Sequence, residues 1–105
     1  MTIIYTPDEI SEDRNETLKT ILENSNGETL ESLSEQFLNE IGYREALHTA
    51  HILMENVGRY LIGHPAVTLN PEAYTFAHNA HTALFNLYQK IGQLEYEITK
   101  EKKES

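Results

Sequence analysis

The chain has 105 residues, enough for one domain and too few for a two-domain enzyme. Apolar residues make up 39% and charged residues 24%, a globular balance that excludes a disordered tail. No apolar run approaches the ~18–20 residues that span a bilayer, and the absence of cysteine excludes disulfides, thiolate metal sites and a Cys nucleophile.

The formal charge is −9 and it is uneven. Residues 1–42 hold ten acids against two bases, net −8, and residues 43–105 hold seven acids against six bases, net −1. Phosphate binding depends on Lys and Arg that release counterions, so no direct nucleic-acid contact is expected. Surface charge ordinarily serves solubility. Its sharper use here is to dock on a basic protein partner. The first residues lack the basic region and apolar core of a signal peptide, so the expected location is the cytoplasm, with no membrane attachment.

Helical period dominates, and the fold class expected is all-α: a small four-helix bundle in a single domain over 1–105, with little or no sheet. Only the short stretch Thr2–Tyr5 alternates with period two. The first helix spans about 7–24. Thr6 caps it, Pro7 takes the first helical position, Glu9 completes a capping box, and Tyr5 with Ile10 makes a hydrophobic staple. Asn24-Ser25-Asn26-Gly27 reads as a turn. The second helix spans about 29–41, with Leu30, Leu33, Phe37, Leu38 and Ile41 on one stripe and Gly42 as its C-terminal cap.

The third helix spans about 43–62, where Leu47, Ala50, Met54, Val57 and Leu61 repeat at alternating spacings of three and four. Gly63-His64-Pro65 ends it, and Ala66–Leu69 is a short connector. The fourth spans about 71–99, capped by Asn70 with Pro71 at its first position. Its seam is Ala73, Ala77, Ala80, Leu84, Leu87, Ile91, Leu94 and Ile98, and residues 100–105 are expected to fray. The short connector predicts a long antiparallel hairpin of helices three and four, with Leu61 opposite Ala73 and Leu47 opposite Leu87. In that register Leu94 and Ile98 overhang, and a homodimer is expected to cover them, with helix one or two as the alternative cover.

Four of five histidines fall in two copies of His-x-Ala-His: His48 with His51, and His78 with His81. Each pair is spaced i, i+3 and shares a helix face. The expected register brings His51 near His81, with Glu55 near His78. A candidate site for zinc or another divalent metal is therefore the cluster His48, His51, Glu55, His78 and His81. The bland alternative is that these histidines flank the core as half-buried polar residues. Arg59 and His64 form Arg-x-x-x-x-His, which resembles the catalytic spacing of HEPN-type helical RNases, although Tyr60 stands where that family prefers a polar residue. No glycine-rich phosphate loop, nucleophile elbow or His-Glu-x-x-His is present. The function expected is a small acidic non-enzymatic protein–protein interaction or regulatory module. A His-cluster metal- or ligand-binding bundle and a small RNase are the alternatives.

Overall fold

The computed structural model describes residues 2–104, with Glu104 through its backbone alone. Among these, every regular element is helical, so the chain is all-α. In chain order they are α1 (Pro7–Glu23), α2 (Leu30–Phe37), α3 (Glu40–Asn56), a π-helical segment (Val57–Ile62), α4 (Pro65–Thr68) and α5 (Pro71–Glu104). Five α-helices replace the four expected, because the connector after Gly63 coils into a helical turn of its own. The residues group into two compact units, one ending at Gln36 and the other beginning at Phe37.

In the first unit the capping box at Thr6 forms as expected. The Glu9 N–H donates to Thr6 Oγ1 at 3.2 Å and the Thr6 N–H donates to Glu9 Oε1 at 3.1 Å. The Thr6 backbone N–H, followed by its hydroxyl, holds the Glu9 carboxyl below the ordinary glutamate range. α1 closes at Asn24, and the turn beyond it takes Asn26 and Gly27 to φ 57° and 94°, left-handed geometry suited to these two residue types. Thr29 then caps α2: the Ser32 N–H donates to Thr29 Oγ1 at 3.1 Å while the Thr29 N–H returns to Ser32 Oγ at 2.9 Å. The Ser32 hydroxyl also donates to Glu28, and Gln36 adds a bond at 2.9 Å, so the Glu28 carboxyl too lies below its usual range.

The second helix ends earlier than its apolar stripe predicts. α2 stops at Phe37, and Asn39 adopts an extended backbone (φ −141°). Its Oδ1 accepts the Gly42 N–H at 2.8 Å, so Asn39 is the N-cap of α3. Gly42 is therefore a first-turn residue of α3, not the C-terminal cap of the helix before it. Its lack of a side chain serves a close approach, since a Cβ there would overlap the Phe37 carbonyl oxygen.

In the second unit α3 begins before the predicted Tyr43, and the helix turns from α to π at Val57. Gly63 and His64 interrupt it. The His64 ring caps the single turn of α4, its Nδ1 accepting the Ala66 N–H at 3.1 Å. Asn70 caps α5 as expected, its Oδ1 accepting the Ala73 N–H at 2.9 Å. α5 runs 34 residues, about 50 Å at ~1.5 Å per residue. The tail expected to fray is helical through Glu104, and Ser105 lies outside the described residues.

α3 packs on α5, and so do the π segment and α4. Arg44 Nε lies 3.4 Å from Glu95 Oε1, the His51 and Tyr88 rings are 5.8 Å apart, and a Cβ on Gly92 would meet Leu47 Cδ1 at 3.7 Å. Gly58 sits against the His81 ring. Residue numbers fall along α5 as they rise along α3. The register differs by about five residues from the one expected, for Leu47 meets Gly92 where Leu87 was predicted. The reason lies at the connector: α4 and the π segment cover the first turns of α5, so α3 meets it further along. Leu94 and Ile98 are consequently half-buried within the unit. Ile98 lines a depression with Leu38 and Asn39, and Lys102 Nζ lies 3.7 Å from Glu40 Oε2.

Candidate functional site

The π segment decides which side chains face the seam. An α-helix advances about 100° per residue and a π turn, with its i→i+5 bonds, rather less. Had the α-helix continued from Val57, Leu61 would follow Met54 into the seam and Ile62 would turn out. The slower rotation reverses them: Ile62 is half-buried and Leu61 is 48% exposed. On α5 six of the eight expected seam residues, Ala73, Ala77, Leu84, Ile91, Leu94 and Ile98, are half-buried, and at the other two places the next residue takes the inner position. His81 and Tyr88 are half-buried, whereas Ala80 and Leu87 are exposed. The His81 ring packs against Gly58 in the π segment, where a Cβ would lie 3.4 Å from His81 Nε2, at van der Waals distance.

Several apolar residues turned out of the seam lie on one side of it, while Ile52 and Phe85 are exposed elsewhere on the same helices. Phe76, Ala80, Ala83 and Leu87 form a stripe along α5 at spacings of four, three and four. Ala46 and Leu53 on α3, and Leu61 on the π segment, lie to the same side. All seven are exposed: Phe76 is 52%, Leu53 49% and Leu87 50% accessible. Ala50, at 4%, is the one buried hydrophobic residue among those described. Between Phe76 and Leu87 this stripe holds no Asp, Glu, Lys or Arg, and Glu72 and Lys90 continue it at its two ends. The sequence contained this face, but the regular repeat through Ala80 and Leu87 directed those residues inward.

The opposite side of the seam is polar and aromatic. Arg44, Leu47, His48, His51 and Tyr88 line a shallow depression there. Arg44 is engaged by Glu40 at 3.0 Å and by Glu95, and His51 Nε2 lies 3.2 Å from Glu55 Oε1. The predicted histidine cluster is not assembled at this register. His48, His51 and Glu55 share α3, but the ring opposite His51 is Tyr88, not His81. His78 packs beside Tyr74, with ring centroids 6.2 Å apart, and His81 faces Gly58. Among the described residues, no three His, Cys, Asp or Glu side chains are grouped to hold a metal ion. Arg59 is exposed on the π segment, while His64 spends its Nδ1 lone pair on the cap of α4. Among the described residues, no helix is long and apolar enough to cross a membrane. No protein-family model, curated protein or solved structure matches the chain.

Proposed function

We propose that this protein is a non-enzymatic protein–protein interaction module that presents the apolar face of α3, the π segment and α5 to a protein partner. In this reading α3 and α5 act as an antiparallel hairpin, and docking completes a four-helix bundle around the exposed stripe. The observation that supports it is the exposure of Leu53, Leu61, Phe76 and Leu87 on one side of a unit whose buried core among the described residues is Ala50. Half-exposed large side chains gathered on one face are the kind of surface that partners cover. The acidic residues concentrated before Tyr43 serve solubility in this reading.

Site-directed photo-crosslinking tests this. Benzoylphenylalanine replaces Ala83 on the face or, as a control, Thr82 on the far side of α5. Protein adducts are expected from position 83 and not from position 82. Adducts from neither position, or equally from both, refute the reading.

A further inference from the structure

We infer that Asn26 is a site of spontaneous chemical modification, where the backbone nitrogen of Gly27 closes on the asparagine side chain and a carboxylate replaces the amide. The site lies in the turn between α1 and α2 and is independent of the apolar face. Ring closure needs an accessible backbone nitrogen on the following residue and room around it. Asn26 and Gly27 are both exposed, at φ 57° and 94°. A Cβ on Gly27 would meet nothing within 4 Å, so the space beside its nitrogen is open. The Ser25 N–H is taken by the Leu22 carbonyl at 3.3 Å, and the next bonds along the chain begin at Glu28 and Thr29. Among the described residues, neither the Asn26 side chain nor the Gly27 N–H makes a hydrogen bond of ordinary geometry. Rotating this peptide out of its left-handed geometry therefore breaks no such bond. The other asparagines lack this combination. After Asn15, Asn56, Asn79 and Asn86 the next N–H is bonded within a helix. Ser25 follows Asn24 with its N–H engaged, Asn39 Oδ1 is held by the Gly42 N–H at 2.8 Å, and Pro71 offers Asn70 no N–H. The step balances with water as the one co-reactant. Hydroxide removes the Gly27 amide proton, the nitrogen bonds to Asn26 Cγ, and the Cγ–Nδ2 bond breaks as ammonia leaves with a proton from water. Water then opens the cyclic imide. Cleavage at Cγ gives an ordinary aspartate, and cleavage at the backbone carbonyl gives isoaspartate, with the main chain running through Cβ and Cγ. Either product adds one negative charge two residues before Glu28, in the more acidic part of the chain.

The test follows the full chain by peptide mass spectrometry during incubation at mildly acidic and mildly alkaline pH, with the free peptide spanning residues 25–29 as the clock. Circular dichroism at each time point checks that the chain remains folded. Amide loss is expected at Asn26 ahead of every other asparagine, at a rate proportional to hydroxide. The rate is expected within about tenfold of the free peptide, a barrier difference of ~1.4 kcal/mol. Two products of equal mass are expected, and the Asn26→Asp variant supplies the chromatographic standard for one of them. Earlier loss at another asparagine, a rate slower than that factor, or aspartate as the single product overturns the inference.

Discussion

Two glycines on the same helix pair should respond to alanine in opposite directions. Gly92 lies inside α5, where a glycine is about 0.8–1.0 kcal/mol less favourable than alanine. A Cβ there meets Leu47 Cδ1 at 3.7 Å, an ordinary van der Waals contact, so the new methyl gains both helix propensity and packing. Gly92→Ala should stabilise the protein by about 1 kcal/mol. Gly42 is also helical, and propensity alone would reward alanine there too. Its Cβ, however, would overlap the Phe37 carbonyl oxygen, a backbone atom that cannot swing aside as a side chain does. Relieving that overlap costs ~1–3 kcal/mol or more, which outweighs the propensity gain. Gly42→Ala should therefore destabilise. Urea unfolding followed by circular dichroism at unchanged m-value reads both signs, and a shift of 1 kcal/mol is about 4–8 °C in Tm for a domain near this size. If Gly42→Ala stabilises by the amount expected for a plain helix interior, the chain does not fold back between Phe37 and Gly42, and the assignment of Asn39 as a cap falls with it.

Other substitutions test the remaining assignments. Asn39→Ala removes the acceptor for the Gly42 N–H and should cost about 1 kcal/mol; no loss would place the start of α3 elsewhere. Ile62→Ala should cost about 1–2 kcal/mol more than Leu61→Ala in dilute solution, since Ile62 is turned into the seam and Leu61 away from it. The reverse order would mean that the helix continues as α through Val57. A double-mutant cycle of His51→Ala and His81→Ala should give a coupling below about 0.5 kcal/mol, with melting unmoved by added zinc; coupling above about 1 kcal/mol would restore the predicted cluster. Glu9 has its carboxyl held low by the Thr6 N–H, so its contribution is present above the ordinary glutamate range near ~4.3 and lost as pH falls through the lower folded value. Carbon chemical shifts of residues 7–10 should report fraying in that window, and Glu9→Gln should abolish its pH dependence.

Several local signals in this sequence are read correctly. The Thr6–Glu9 box, the Asn24–Gly27 turn, the Thr29 start of α2 and the Asn70 cap of α5 each involve groups within four residues of one another, and each forms. The end of the second helix was misplaced because two local signals compete. Leu38 and Ile41 continue an apolar stripe, yet Asn39 is a stronger N-cap than a helix-interior residue, and Gly42 serves equally as a C-terminal cap or as a point of close approach. Spacing alone cannot choose between these uses. The carbonyl of Phe37 against Gly42 chooses.

The histidine pairing differs from the expected one for another reason, which begins at the connector. Pairing across two helices depends on where the chain turns, and a shift of five residues rotates the partner by about 140° as well as sliding it. Pro65–Thr68 lacks an apolar period long enough to announce a helix, but four residues in one α-turn occupy the place where the first turns of α5 were expected to meet α3. The π segment adds the second displacement. Its residues Val57-Gly58-Arg59-Tyr60-Leu61-Ile62 carry no pattern that distinguishes π from α, and a stretch with both Leu61 and Ile62 satisfies an apolar seam in either winding. His81 on α5 lies against Gly58, and along this segment Ile62 is half-buried while Leu61 is exposed. The sequence repeat thus pointed to a narrow two-helix zipper, whereas the helix that folds carries a half-sheltered imidazole inside and an apolar stripe outside. The same residue that was expected among the metal ligands packs instead against Gly58.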